Sequence, residues 1–274
     1  PYGTRAAVFS RNSVQIFDIS TDAEENAIAQ PLGNTGALAA RAILPYGNLD
    51  VFYLDEPGIR SLRARDTTGE AFAHDIGHAI DPFIRGIMDS VSEAVIRRAV
   101  SIIGPEGRFM MALGSYIFVL SYFPGSKITA WSYYRPGFSV SDFVRIRNKL
   151  YARSGDTIYL YGGAAGSTYP DDGEMTSIVE TPFMTAQQPG TDKRAIGFDI
   201  ACVGEWDVKM LINPEDEQQR INIGRVTGTT YQKIDGNIAV PGETTHFAFR
   251  LVGDKAGRRV LSNLTFHYAQ KVGA

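Results

Sequence analysis

The sequence has a single cysteine, Cys202, among its 274 residues. No disulfide can therefore form within the chain, and no cysteine-based metal site can be built. Cys202 ends a run of alternating apolar residues, so we expect it to be a small buried hydrophobic side chain. No apolar run reaches the ~20 residues that span a bilayer, and no signal peptide is visible. We therefore expect no disulfide framework and no membrane segment.

Clusters of positive charge are lacking as well. Lys and Arg number 27 against 30 Asp and Glu, which gives a formal net charge of -3 at pH 7. Proteins that grip nucleic acid by neutralising phosphates need clustered Lys and Arg, so this balance argues against tight DNA binding. It is compatible with a surface past which DNA slides. Apolar residues make up 44% of the chain, which is enough for a sizeable core.

Short strand patterns separated by turn sequences fill most of the first half. The polar turn 10–13 lies between two apolar runs and predicts a hairpin. The further predicted strands are 49–54, 59–64, 108–113, 116–122, 128–134, 143–146, 150–153 and 157–161. Units of antiparallel strands that recur along a chain are typical of a β-propeller. Only two or three units fit, and a closed ring needs at least about four blades. We therefore expect a partial propeller, with the rest of the ring in residues preceding Pro1.

One stretch changes to helical spacing. Apolar residues recur every three or four positions between Asp81 and Ile102, Pro82 lies near the start, and Gly104 lies beyond the end. We predict a single helical insertion near 81–98, followed by a strand that begins at about Ala99.

Alternation becomes more regular after about Asp171. The apolar residues that share strand faces are Ile196, Phe198, Ile200 and Cys202, then Trp206, Val208, Met210 and Ile212. Period-two alternation in several antiparallel strands predicts a β-sandwich. The predicted fold is all-β: a partial β-propeller-like region over 1–165 with one helical insertion, followed by an antiparallel β-sandwich-like domain over 166–274.

Two histidines four residues apart, His74 and His78, are the sharpest candidates for chemistry. On a helix they would share one face, as in the zinc-binding H-E-x-x-H motif. However, Asp75 is one methylene shorter than the Glu of that motif, and Gly77 weakens a helix. The donors for a third ligand would be Asp81, His246 and His267. We interpret the segment as a polar turn leading into the helix, with Asp75 or Asp81 as its cap, and keep a metal site as the alternative.

Other residue types used in catalysis do not combine into a site. Acidic residues at 171–174 and 214–217 have the pattern of solvated turns, although paired carboxylates also serve glycosidases. The glycines of 162–167 lack the Lys-Ser or Lys-Thr of a phosphate loop. The aromatic residues Trp131, Tyr133, Tyr134 and Tyr151 have the spacing of blade core and rim. We predict no catalytic, cofactor-binding or metal-binding residue, and hence no enzyme.

Several sequence motifs, taken in their order along the chain, resemble those of a known protein family. The motifs are PGIRSL at 57–62, ITAWSYY at 128–134, GF at 137–138, LY at 150–151, GDTIY at 155–159, IVETPF at 178–183, KRAIGF at 193–198 and RVLSNLTFHY at 259–268. This succession, which covers most of 49–268, resembles the tail nozzle proteins of short-tailed bacteriophages. That family is also called tail tubular protein B or packaged-DNA-stabilising tail protein.

The resemblance implies a structural virion protein of the phage tail. Identical subunits would form a ring, a hexamer, that retains packaged DNA and lets it exit during infection. The partners would be the tail adaptor, tail fibre or spike proteins, and double-stranded DNA that passes through the channel without sequence-specific binding. The family carries no catalytic residues and no cofactor.

Two other classes remain open on sequence alone. One is a propeller-type glycoside hydrolase, or a metalloenzyme that uses His74 and His78. The other is a carbohydrate- or protein-binding β module.

Overall fold

The computed structural model describes residues 1–47, 50–68, 75–123, 128–162, 175–187, 189–216, 218–227, 231–234, 244–255 and 257–270. Within these residues the chain forms twenty β-strands and three short α-helices. It divides into two compact units, Pro1–Gly166 and Ser167–Ala274. The predicted all-β class is confirmed. No helix in these ranges is long and apolar enough to cross a membrane.

The first unit consists of four antiparallel meanders, each of which pairs its strands in chain order. The first meander is β1 (Arg5–Phe9), β2 (Ser13–Asp18) and β3 (Ala27–Gly33), and the second is β4 (Leu44–Tyr46), β5 (Asp50–Asp55) and β6 (Gly58–Ser61). The third meander is β7 (Val100–Ile103), β8 (Phe109–Leu113), β9 (Tyr116–Phe123) and β10 (Ile128–Tyr134). The fourth is β11 (Asp142–Ile146), β12 (Lys149–Ser154) and β13 (Thr157–Leu160). The predicted hairpin around 10–13 is confirmed, since Phe9 pairs with Val14.

The second meander has a core on each of its faces. Along β5, Val51 and Tyr53 join a core shared with Val14 and Ile16 of the first meander. The alternate residues of β5, Phe52 and Leu54, join a second core shared with the third meander. Successive side chains of a strand point to opposite faces, so a sheet that is covered on both sides needs an uninterrupted apolar run.

The third meander is covered on both faces in the same way. Phe109, Met111 and Leu113 of β8 face the core shared with the second meander. Met110 and Ala112 face a third core, which includes Phe143, Leu150 and Ala152 of the fourth meander. The four meanders are therefore stacked in chain order, with one core between each successive pair. This stacking fits a propeller-like region, and the described residues show no closed ring of blades.

The helical segments differ from the sequence prediction in two places. The predicted strand 59–64 ends at Ser61, and α1 (Leu62–Thr68) begins there. The Ser61 hydroxyl accepts a hydrogen bond from the amide of Ala64 at 3.2 Å, which is the geometry of an N-cap. This N-cap was missed because the apolar pattern of the segment also fits a strand.

The helical insertion predicted near 81–98 is present, but it is not one continuous helix. The segment forms α2 (Asp81–Ser90) and α3 (Glu93–Ile96), separated by Val91 and Ser92 in extended conformation. The Ser90 hydroxyl donates to the Ile87 carbonyl at 2.7 Å. Serine side chains compete with the backbone for hydrogen bonds, and β-branched valine favours the extended state, so the helix ends at this point.

The second unit is a sandwich of two antiparallel sheets. One sheet has the order β14 (Ser177–Glu180), β19 (Ala248–Gly253), β16 (Glu205–Leu211) and β17 (Arg220–Thr227). The other has the order β18 (Tyr231–Ile234), β15 (Lys193–Val203) and β20 (Val260–Gln270). The core between the sheets contains Phe198, Ile200, Trp206, Val208, Met210, Phe249 and Leu251. Cys202 lies in this core, as predicted, and burial raises the pKa of its thiol.

We expect that replacing Phe109 by alanine will lower the free energy of unfolding by about 3–5 kcal/mol. Its ring is fully buried and packs edge-on against Phe52 and Trp131, so the substitution leaves a cavity between the second and third meanders. Urea unfolding measures the change. The control is Tyr122→Ala in β9, where a ring that is 55% exposed should change stability by no more than about 0.5 kcal/mol. Equal losses in the two variants would contradict this account of the core.

Candidate functional site

The histidine pair singled out in the sequence does not form a visible metal site. His74 lies outside the described residues, and His78 is exposed at the start of a 3-10 helix, His78–Ile80. Of the donors proposed for a third ligand, His246 hydrogen-bonds Thr245, and His267 lies 2.9 Å from Asp199. Among the described residues, no group of three or more His, Cys, Asp or Glu side chains is placed to hold a metal ion.

Asp81, the acidic donor on the same segment, is engaged by Arg60. The two guanidinium nitrogens Nη1 and Nη2 donate to Asp81 Oδ1 and Oδ2, both at 2.8 Å. The Arg60 side chain is 1% exposed, so this bidentate pair is shielded from water. Nη1 also donates to the carbonyl of Ile59 at 2.9 Å. Burial opposes the charged form of Arg60, but the hydrogen bonds and charge of Asp81 outweigh it and raise the pKa of the guanidinium.

Asp75 holds the segment that precedes α2 against the end of β6. Its Oδ1 accepts from the backbone amides of Ser61 and Ile76, both at 2.9 Å. Its Oδ2 lies 3.5 Å from Nε of Arg60. Neither Asp75 nor Asp81 caps a helix with its side chain, so the predicted capping role is wrong. The tertiary arrangement directs both carboxylates to buried arginine instead.

Two glycines allow this close packing. A Cβ atom on Gly77 would lie 2.1 Å from the carbonyl oxygen of Ile59. A Cβ atom on Gly58 would lie 2.3 Å from Asp81 Oδ1, and Gly58 also has a φ of +139°. Both contacts are far inside van der Waals distance, so only glycine fits at either position. Gly77, which argued against a metal-binding helix in the sequence, is explained by this approach of two backbone segments.

The buried charges extend from Asp75 to Asp55 through Arg65. Nε of Arg65 lies 3.5 Å from Asp75 Oδ2, and its Nη2 lies 3.9 Å from Asp55 Oδ2. The Thr35 hydroxyl donates to Asp55 Oδ2 at 2.8 Å and lies 2.7 Å from the hydroxyl of Tyr53. We call Arg60, Arg65, Asp55, Asp75 and Asp81 the buried charge network. It contains two arginines and three aspartates.

Burial dominates the proton affinity of two carboxyl groups of this network, Asp55 and Asp75. It raises the pKa of Asp55, against the hydrogen bonds from Thr35 and the Glu56 amide and the attraction of Arg65. It raises the pKa of Asp75, against the Ser61 amide and the attraction of Arg60 and Arg65. It also raises the pKa of Tyr53 to about 12. These groups are sealed from solvent, so their chemical role is to fix the second meander, α1 and α2 relative to one another.

The aromatic residues noted in the sequence lie on the third and fourth meanders. Trp131 is half-buried against the core between the second and third meanders, and its Nε1 donates to the Ile76 carbonyl at 2.6 Å. Tyr133 is half-exposed and contacts Phe83 of α2. Tyr134 contacts Tyr161. These positions match the predicted roles in core and rim.

The structure describes only part of the acidic and glycine-rich turns. Residues 171–174 and 163–167 lie outside the described residues. In the turn at 214–217, Glu215 and Asp216 are part of a hydrogen-bonded surface turn, in which the Asn213 side chain accepts from the Glu215 amide at 3.0 Å.

One surface cleft of the first unit is rich in arginine. It has a volume of about 460 Å³ and is lined by Arg41, Arg98, Ser141, Asp142, Arg153 and Gly155. Arg41 pairs with Asp142 and donates to the Ser141 carbonyl at 3.1 Å, while Arg153 donates to the Gly155 carbonyl at 2.8 Å. Sequence reasoning missed this cleft because its residues are distant in the chain: Arg41 and Arg98 lie between meanders, and the other residues lie in or beside the fourth meander. Its guanidinium groups suit a carboxylate or phosphate, and it holds no acid–base pair for catalysis.

No family model matches the sequence, and no curated protein matches it.

We expect Arg60→Met to lower the free energy of unfolding by about 3–5 kcal/mol, because it removes the bidentate cation from the buried carboxylate of Asp81 and leaves Asp75 with Arg65 alone. The matched control is Arg5→Met. Arg5 pairs with Asp18 at the same distance, 2.8 Å, but on the surface, so its loss should cost no more than about 1 kcal/mol. Denaturant unfolding compares the two variants. Equal costs would show that burial does not set the strength of the Arg60 pairs.

The raised pKa of Asp55 predicts a specific pH dependence. The folded state holds the proton more tightly than the unfolded state, whose carboxyl has the ordinary value of 3.8. The stability gained from protonation is fully present below that value and is lost as the pH rises through the folded pKa. The free energy of unfolding of the wild type minus that of Asp55→Asn should therefore fall as the pH rises from about 3 toward neutrality.

Asp207→Asn provides a control of opposite sign. The hydrogen bond from Arg225 lowers the pKa of Asp207. The free energy of unfolding of the wild type minus that of Asp207→Asn should therefore rise with pH. The stabilisation is present above the pKa of the unfolded state and is lost as the pH falls through the pKa of the folded state. Thermal melts across the pH series measure both differences. If the difference for Asp55 also rose with pH, the statement that burial raises the pKa of Asp55 would be contradicted.

Proposed function

We propose that this chain is a structural subunit of the tail nozzle of a short-tailed bacteriophage. In that role, identical subunits form a ring in the virion tail, and the ring retains packaged DNA and lets it exit during infection. The observation that carries the proposal is the stack of four antiparallel meanders followed by a β-sandwich. The strand patterns of the sequence predict this arrangement, and the motifs between 49 and 268 resemble those of the nozzle family in their order.

The use of the charged residues supports a structural role. Asp55, Asp75 and Asp81 are buried around Arg60 and Arg65. His78 is exposed and does not face a carboxylate pair in the described residues. The proposal therefore assigns no catalytic residue and no cofactor to the chain.

The charge balance supports passage of DNA rather than its capture. A net charge of -3 releases few counterions from the duplex, and counterion release supplies most of the non-specific affinity for DNA. A ring of such subunits would let double-stranded DNA move without sequence-specific contacts. The remaining partners in this role are the tail adaptor and the tail fibre or spike proteins.

We expect the purified chain at high concentration to form rings with a central opening in negative-stain electron micrographs. The mass in solution, measured on the same sample by light scattering, should equal a whole number of subunits, and six is the number expected from the resemblance. Binding to duplex DNA should be weak at physiological salt. A monomer at every concentration, or tight DNA binding that weakens steeply with salt, would contradict the proposal.

A further inference from the structure

The surface cleft of the first unit gathers guanidinium groups from three separate parts of the chain. Arg41 lies in a 3-10 helix between the first and second meanders. Arg98 lies between α3 and β7, and Arg153 lies in β12 of the fourth meander. The remaining lining residues are Ser141, Asp142 and Gly155. The fold therefore concentrates in one cleft three positive charges that are far apart in the sequence.

Contacts with the fourth meander orient Arg41. Its Nη1 donates to the carbonyl of Ser141 at 3.1 Å, and its Nη2 pairs with Oδ1 of Asp142. A guanidinium has five N–H donors in a rigid planar fork. These two contacts therefore fix the direction of the group and leave donors for a further acceptor.

The turn that follows β12 orients Arg153. Its Nε donates to the carbonyl of Gly155 at 2.8 Å, and Gly155 has a φ of +56°, a region that favours glycine. The backbone of Arg153 is also fixed, because its carbonyl accepts from the amide of Ser141 at 2.8 Å and from the Ser141 hydroxyl at 3.1 Å. The contact through Nε leaves the two terminal nitrogens of Arg153 as donors for a ligand.

Arg98 supplies a charge that the protein itself does not neutralise. Its amide donates to the carbonyl of Val95 at 3.1 Å, which closes the turn after α3. The preceding Arg97 pairs with Glu93, whereas no carboxylate or carbonyl of the described residues accepts from the exposed guanidinium of Arg98. Three arginines against one aspartate leave the lining with a charge of +2, on a chain whose net charge is -3.

This charge selects among the anions that arginine binds. The guanidinium fork matches the oxygens of both carboxylates and phosphates. A carboxylate and a phosphate diester each carry one negative charge, whereas a phosphate monoester carries about -1.5 to -2 at pH 7. The monoester therefore fits a lining of +2 best. The cleft volume of about 460 Å³ lies within the range of about 300–1,000 Å³ typical of small-molecule sites, so it has room for more than the phosphate group.

We propose that this cleft binds the phosphate monoester group of a small molecule, with Arg98 and Arg153 as its main donors and Arg41 as a third, pre-oriented one. The inference goes beyond the proposed function and does not depend on it, since a ring that conducts DNA needs no such site. It is also compatible with weak DNA binding, because the backbone of a duplex offers diesters.

The test is an NMR titration of the full chain with methyl phosphate at low ionic strength and pH 7.5. The backbone amides of Ser141 and Gly155 should shift and reach saturation together. Dimethyl phosphate and acetate carry a single charge and should bind at least about tenfold more weakly. The comparison of the two methyl esters keeps the phosphate chemistry and changes mainly the charge.

Two variants locate the binding. Arg98→Met and Arg153→Met should each raise the dissociation constant of methyl phosphate at least about tenfold. Arg145→Met is the matched control, because Arg145 is an exposed arginine of the same meander that bonds Asn148 and does not line the cleft. Its substitution should change the dissociation constant less than about twofold. All three side chains are on the surface, and thermal melts confirm that each variant is folded.

Each other outcome overturns the inference. Shifts that do not saturate, or an equal loss of affinity in Arg145→Met, would show general attraction to the surface rather than a site. Equal affinity for dimethyl phosphate would replace the monoester by a diester such as a nucleic-acid backbone, and stronger binding of acetate would replace it by a carboxylate. Rings in electron micrographs without phosphate binding would overturn this inference and leave the nozzle proposal standing, and phosphate binding by a chain that forms no ring would do the reverse.

Discussion

A sheet that lies between two others must bury both of its faces, and this constraint organises the first unit. The second and third meanders meet it with uninterrupted apolar strands, Val51–Leu54 in β5 and all of β8. Each strand gives alternate residues to two different cores. The chain therefore builds its cores between meanders rather than within one, and each meander depends on its neighbours for stability. Among the described residues, the first and fourth meanders each share a core with one other meander, and some of their apolar side chains, such as Ile28 and Ile158, are exposed.

The buried charge network is the polar exception in this apolar stack. Arg60 lies in β6, where the second meander meets α2, and a bidentate carboxylate from Asp81 satisfies two of its nitrogens. Paired buried charges contribute little net stability compared with apolar residues, but removing one partner is costly because it leaves the other charge buried without compensation. We attribute to this network the fixed position of the segment from Asp75 to Ile80. The same network explains why the acidic residues near His78 are not available for chemistry.

The proposed role needs no catalytic centre. Stacked meanders and weak overall charge suit the proposal of a protein that assembles and lets DNA pass. The guanidinium groups that line the surface cleft suit a carboxylate or a phosphate. The nozzle assignment is a proposal whose support is this geometry and the order of the sequence motifs.

The sequence by itself determined the all-β class, the sandwich alternation and the burial of Cys202, because period-two alternation and turn residues act over a few neighbouring positions. It also located the helical segment, but not its break at Val91 or the helix that Ser61 caps, where strand and helix preferences are nearly equal. Only the tertiary structure decided the fate of Asp75 and Asp81. Their partner Arg60 is 15 and 21 residues away in the chain, and no local pattern records which carboxylate a buried arginine will meet. Which apolar residues are buried is likewise a tertiary result, since an exposed Ile158 and a buried Leu150 look alike in sequence until the stacking of the sheets separates them.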